Sequence, residues 1–294
     1  MKVVKLKDAD INVPRGSAFA YNTPPSMPRG HMVSIAVGKR GAGKSVAITN
    51  LVKMLNYDRV LVISPTFKSN SLLMKELDID ENDVFTDPDD PRVVDKIIEI
   101  VEEERDDLQA YLDQKKEYQR LLKMLDDNYG NLPDELLLMF YNDGHFTPPQ
   151  HKYGGRNPFI GVIIDDCQSS KLFTNKRIQN LTIKHRHIGA FDGDRPSIGV
   201  SLFFLVQNYK SKSGGIDRAI RNNATNCLLF KNKDEKEIDF IAGEMAGEVS
   251  KDDFLKAYNY AMEDGNHPFL FVDLHKKDHH DSMFRSRFNK FLVI

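Results

Sequence analysis

The run Gly38-Lys39-Arg40-Gly41-Ala42-Gly43-Lys44-Ser45 fills every fixed position of the pattern G-x-x-x-x-G-K-[ST]. These residue types at this spacing can hold a chain of phosphates. Glycines let consecutive backbone N–H groups curl around an anion, and a helix starting just afterwards adds partial positive charge. Lys44 is then placed to reach the β- and γ-phosphates of ATP, and the Ser45 hydroxyl to ligate Mg²⁺. A second chemical group stands far downstream, where the apolar run 159–164 ends in Asp165 and Asp166. The first acid of such a pair is expected to hold Mg²⁺, directly or through water, and the second to accept a proton from an attacking water. Adjacent residues on a strand point to opposite faces, so both acids can serve one site only if the chain bends there. A third candidate closes the apolar run 200–206, which ends in Gln207-Asn208. An amide at the carboxyl edge of a sheet can reach a γ-phosphate or its water, and it can equally end the strand by bonding nearby backbone.

These groups need elements to carry them. Residues 32–37 form a short apolar run suited to a buried strand, and residues 46–55 carry apolar side chains at helical spacing. Strand, glycine-rich loop and helix is the setting the phosphate motif requires. Further buried strands are expected at 59–63, 159–164, 197–206 and 226–230, with a late strand at 268–274. Helices are expected at 175–185, 216–222 and 250–262, and residues 91–127 read as a long charged helix or helical hairpin whose apolar stripe breaks near 102–107. Apolar strands alternating with helices imply an α/β fold, a mostly parallel sheet with helices on both faces. Three regions follow: a proline-bearing extended arm at 1–31, a core at 32–245 with a helical insertion at about 91–142, and a C-terminal extension at 246–294.

The chain of 294 residues is 40% hydrophobic and 29% charged, with a net charge of −2 that says little about partners. The distribution of charge says more. Residues 1–60 hold ten Lys and Arg against three Asp, and residues 171–222 again ten against three, whereas residues 76–136 hold seven against twenty-one acids. The basic segments contain the phosphate motif and the region around Gln207, where positive charge suits ATP, a polyanionic track, or both. The longest apolar stretch, 198–206, is too short to span a bilayer, and Lys2, Lys5 and Lys7 have no apolar run behind them, so neither a membrane span nor a secretory leader is expected. Cys167 and Cys227 lack a C-x-x-C partner, which suits a reducing compartment and no zinc site.

Taken in order, Gly38 to Ser45, Ser64-Pro65-Thr66, Val162-Ile163-Ile164-Asp165-Asp166, Arg186-His187-Ile188-Gly189, Phe204-Leu205-Val206-Gln207 and Ile220-Arg221-Asn222-Asn223 resemble the motifs of the FtsK–HerA superfamily of ring-forming P-loop DNA motors. Within it the chain looks most like the genome-packaging ATPases of nucleocytoplasmic large DNA viruses and virophages. The likeness spans roughly residues 30–245. It implies a RecA-like P-loop NTPase fold with ATP and Mg²⁺ as cofactors. It also implies a homo-oligomeric ring of five or six subunits acting on double-stranded DNA without regard to sequence, in contact with capsid or other virion proteins. The implied location is the cytoplasm, in the virus factory of an infected cell, and the virion. Gln207 matches the family's sensor glutamine, and Arg186 an arginine that a neighbouring subunit receives as a trans-acting finger. Arg221 is the rival for that role. Asp166 departs from the glutamate common in the superfamily, and the turn-like stretch 190–196 separates Arg186 from the following strand.

Other classes fit less well. Lys231-Asn232-Lys233-Asp234-Glu235 places Glu235 where the guanine-reading N-K-x-D pattern needs aspartate, which excludes a GTPase, and no second phosphate-acceptor signature supports a small-molecule kinase. A cellular HerA-like translocase or helicase, and an ATP-gated adaptor without turnover, stay open. The stretch His275 to His280 reads as a metal-binding or simply charged loop, and residues 283–294 as a basic-aromatic tail for DNA, a shell protein or internal packing.

Overall fold

Strand β1 (Val33–Val37) is buried at every position, as a largely apolar run with β-branched ends favours. It is the axis of the fold in a computed structural model that describes residues 23–67, 76–127, 134, 147–210, 215–247 and 249–294. The arm residues 1–22 and most of the insertion beyond 127 lie outside the described residues. Beside β1 run β2 (Arg59–Ile63), β3 (Val84–Phe85), β4 (Ile160–Asp165), β5 (Ser201–Val206) and β6 (Asn226–Phe230). All six are parallel. Three antiparallel strands, β7 (Phe269–Asp273), β8 (Phe284–Ser286) and β9 (Lys290–Phe291), then extend the sheet past β6. The order across the sheet is β3-β2-β4-β5-β1-β6-β7-β8-β9. The fold is therefore the expected α/β P-loop architecture, with a mostly parallel sheet.

Helix α1 (Lys44–Leu55) follows β1 through the glycine-rich loop and stops where Asn56 turns left-handed, its N–H reaching back to the carbonyls of Val52 and Lys53. It packs on one face of the sheet, burying Ile48, Leu51, Val52 and Leu55 against Ala36, Phe203 and Leu205. The other face is covered by α2 (Val93–Asp127), α3 (Lys176–Lys184), α4 (Arg218–Asn222), α5 (Glu235–Met245) and α6 (Lys251–Met262). Helices thus lie on both faces.

Within the described residues the insertion is one continuous helix through Asp127. Its apolar stripe breaks because Glu104, 1% exposed, accepts from Arg59 at 2.8 Å and pairs with Lys152 at 2.8 Å. The same guanidinium holds Asp83 with two bonds of 2.9 and 2.6 Å, so the charged interruption pins α2 to the sheet edge. Past Leu108, residues 109–124 are all half-buried or exposed.

Residues 246–294 continue the sheet and contribute α6 to its covering layer. The start of the basic-aromatic tail is packed, with Phe284 and Arg285 each 1% exposed, whereas Val293 and Ile294 at its end are exposed. No group of three or more His, Cys, Asp or Glu among the described residues could hold a metal. His275 to His280 instead hold the preceding arm by its carbonyls. Lys277 Nζ donates to Pro24 O at 2.8 Å and His280 Nε2 lies 2.7 Å from Pro25 O, while Arg285 donates to Ser26 O.

Candidate nucleotide site

The site lies at the carboxyl edge of the parallel strands, the edge at which α/β sheets bind ligands. Gly38 is in close approach: a Cβ there would stand 2.7 Å from Phe230 Cβ. Gly43, at φ 102°, turns the chain into α1 in a conformation that L side chains rarely adopt. The loop so formed brings Lys44 back over itself, its Nζ donating to Gly38 O at 2.7 Å and Lys39 O at 3.3 Å. Burial lowers the Lys44 pKa, against the pull of Asp165 and Asp166 and with a further push from Lys39. An amine that has given up water in this way is ready to exchange two carbonyls for an anion.

Strand order fixes the rest. β5 lies between β1, which leads into the loop, and β4, which carries the acids. Gln207, one residue past the end of β5, therefore stands between phosphate loop and acids at their common edge. Lys39 Nζ donates to the neighbouring Asn208 Oδ1 at 2.7 Å, tying the loop to the same strand end.

Asp165, 5% exposed, accepts from Ser45 Oγ at 3.0 Å. Two ligands at right angles on an octahedral Mg²⁺ at about 2.1 Å are separated by about 3.0 Å, so this hydroxyl–carboxylate pair fits the hard-oxygen donor set that Mg²⁺ prefers. Burial chiefly, then Asp166, raises the Asp165 pKa, opposed by the Ser45 hydrogen bond and by Lys44. A bound cation would relieve that burden. The bend demanded by two adjacent acids is present: Asp166 has φ 56°, and its exposed carboxylate accepts from Thr66 Oγ1 at 2.9 Å. Thr66, in the segment that follows β2, is a partner that sequence spacing did not assign to the acid. Cys167, next in the chain, is buried, and burial raises its thiol pKa, which leaves it chemically inert.

Lys44, Ser45, Asp165, Asp166 and Gln207 all line one cavity of about 590 Å³, within the range of small-ligand pockets. Of the loop, Arg40, Gly41 and Gly43 line it too. Its other wall was not foreseen from sequence. Asn266 and His267 come from the turn between α6 and β7, and Arg287 and Phe288 from the turn between β8 and β9. The signals for that wall were Gly265 and the alternating aromatics of 269–271 and 284–288, which mark a hairpin without saying where it docks.

The two candidate arginines are not in this cavity. Arg186 is exposed at the opposite, amino-terminal edge of the strands, beside a small cleft with His31, Asn226 and Asp273. Arg221 has a side chain only 9% exposed; it grips Glu244 through two bonds of 3.1 Å and donates to Ile216 O at 2.7 Å.

No family model matches the chain, and no curated protein matches it. Among solved structures the chain is similar to the genome packaging NTPase B204 of Sulfolobus turreted icosahedral virus 2 in complex with AMP. The TM-score is 0.44 at 12% identity, over 83% of this chain and 92% of that one. It is also similar to the pCW3 conjugation coupling protein TcpA with ATPγS, at a TM-score of 0.44 and 17% identity over 87% of this chain and 60% of that one. A third similarity is to the cytoplasmic domain of the Type VII secretion ATPase EccC of Thermomonospora curvata, with a TM-score of 0.34 at 14% identity, over 87% of this chain and 27% of that one. Likenesses this distant carry no function across, which leaves the chemistry of the cavity to speak for itself. None of the described helices is long and apolar enough to cross a membrane.

Proposed function

We propose that this chain is an Mg²⁺-dependent ATP hydrolase of the FtsK–HerA type that assembles into a ring, translocates double-stranded DNA, and packages a viral genome into a capsid. The observation that carries the hydrolase is the convergence of Lys44, Ser45, Asp165, Asp166 and Gln207 on one cavity from three separate stretches of sequence. The loop N–H groups and Lys44 would bind the phosphates. Ser45 and Asp165 would hold Mg²⁺, which neutralises phosphate charge when bound. Asp166, aimed by Thr66, would take the proton of the attacking water, and Gln207 would orient that water against the γ-phosphate.

The step from hydrolase to motor rests on the order of motifs along the chain and on an incomplete site. Phosphoryl transfer gains from a cation on the transferring group beyond the lysine. Of the arginines that line the cavity, Arg287 is held by the carbonyls of Asp264 and Asn266 and Arg40 is exposed on the loop, and neither Arg186 nor Arg221 reaches the cavity of its own subunit. An arginine from a neighbour would supply it. Arg186, exposed on the opposite edge, suits that role better than Arg221, whose fork is occupied by Glu244. Hydrolysis would then depend on assembly, and basic loops would hold DNA phosphates without reading bases.

The test is ATPase rate against protein concentration, with and without linear duplex DNA. The proposal requires a more-than-proportional rise and stimulation by DNA. It also requires activity to reappear when Lys44→Ala and Arg186→Ala subunits are mixed. A strictly proportional rate indifferent to DNA would remove the motor, and tight ATP binding without turnover would make the chain an adaptor. Stimulation that requires capsids separates packaging from a cellular translocase.

A further inference from the structure

The cavity is longer than its phosphate-binding end, and the second wall has no part in the chemistry above. That wall is built to be stiff. The Arg287 guanidinium donates to Asp264 O at 2.7 Å and to Asn266 O at 2.9 Å, joining the turn after α6 to the turn after β8. Asp264 is held from the same side by Ser286 at 2.6 Å and by Lys290 at 2.8 and 2.9 Å. Both turns carry a non-glycine residue in the left-handed region, His267 at φ 51° and Arg287 at φ 55°, conformations the surrounding contacts must hold. His267 abuts the phosphate loop: a Cβ on Gly43 would lie 3.2 Å from His267 Cβ and 3.4 Å from its Nδ1. Phe288 packs edge-on against Phe269 at 5.0 Å and Phe271 at 5.5 Å, and is half-buried where it lines the cavity.

A triphosphate anchored at Lys44 and Ser45 leaves its nucleoside to extend along this wall, which offers a flat aromatic ring, an imidazole and the amide of Asn266. We propose that the hairpin turns bearing His267 and Phe288 form the nucleobase subsite, with a purine ring lying against them and preferred over a pyrimidine because it covers more of the aromatic surface. This deepens the proposed function and rests on the phosphate loop being a nucleotide site. The C-terminal extension would thereby form one wall of the binding site.

Calorimetric titration with tripolyphosphate, ADP, GDP, CDP and UDP in the presence of Mg²⁺ tests this on the full chain. The variants are Phe288→Ala, Phe288→Leu, which keeps apolar bulk, and His267→Asn, a residue type that tolerates the left-handed backbone. The wild type should favour purine over pyrimidine diphosphates. The Phe288 variants should weaken ADP by about 10- to 100-fold, the usual yield of a base–aromatic contact, and reduce the purine preference. Tripolyphosphate should bind all forms alike, which also shows that the variants are folded. Unchanged ADP affinity in the variants, or parallel loss of ADP and tripolyphosphate, would overturn the inference while leaving the phosphate site intact. A wild type that binds neither ligand would instead defeat the nucleotide site itself, and the base subsite with it.

Discussion

An Asp165→Asn substitution removes a negative charge from a side chain that is 5% exposed and stands next to a second carboxylate, while an amide oxygen can still accept from Ser45. Burial first and Asp166 second hold the Asp165 pKa above the usual carboxylate value. A carboxyl raised in the folded state favours folding below its unfolded pKa, and that contribution is lost as pH rises through the folded value. Once the pH is above the folded value the charge opposes folding in full. Neutralising it should stabilise the nucleotide-free protein by about 1 kcal/mol, a usual gain where function has been held at the expense of stability. In a chain of 294 residues that is about 1.6 °C in Tm. The same change removes a hard oxygen from the Mg²⁺ pair. At about 100 times Kd a ligand adds about 2.7 kcal/mol to the wild type, and the variant should lose most of whatever part of that gain depends on Mg²⁺. Thermal melts with and without ADP, and with Mg²⁺ or EDTA, measure both effects. A variant that melts at or below the wild type without nucleotide, or that keeps the Mg²⁺-dependent gain, would refute the reasoning.

Thr66→Val removes the hydroxyl that donates to Asp166 at 2.9 Å; kcat should fall about 10-fold with KM nearly unchanged, and Thr66→Ser should retain activity in the same assay. His31 and His185 are buried with pKa values lowered from 6.5 to about 3 and about 4, mainly by burial, so the unfolded chain takes up protons that the folded chain refuses. Stability should accordingly be complete above about pH 6.5 and fall as the pH drops towards 4, with a shallower fall in His31→Gln by urea denaturation. Glu104→Ala removes the 2.8 Å contacts to Arg59 and Lys152 while Arg59 keeps Asp83 and Lys152 keeps Asp107, and should lower stability by about 2 kcal/mol, read as a lower urea midpoint at unchanged slope.

The strand, glycine-rich loop and helix at one end of the candidate site were legible because their signal is local. Gly38 to Ser45 need only a strand before and a helix after, and both are periodic enough to read. The opposite wall of the cavity was not legible, because Asn266, His267, Arg287 and Phe288 reach it only through the antiparallel pairing of β6, β7 and β8, and pairing is a tertiary choice. Helix α5 was missed although Asp234 caps it by accepting from the N–H groups of Lys236 and Glu237. Those residues had been weighed only as a guanine-reading motif, and Asp234 with Glu237 three residues on was the overlooked helix-start signal. Strand β5 begins at Ser201, later than its apolar run suggests, because Gly199 sits at φ 64° against His31, where a Cβ would come within 2.7 Å of Nε2. The break in the α2 stripe left one helix or a hairpin open in the sequence, and Glu104 in it is a buried strut whose partners lie 45 and 48 residues away.

Steady-state phosphate release from ATP by the wild type, Lys44→Ala and Asp166→Asn, each with and without Mg²⁺, meets the central claim head-on. The account predicts Mg²⁺-dependent turnover in the wild type and a loss of at least about 100-fold in both variants, with nucleotide affinity kept in Asp166→Asn and lost in Lys44→Ala. Turnover that survives in Asp166→Asn, or that proceeds equally well without Mg²⁺, would contradict it.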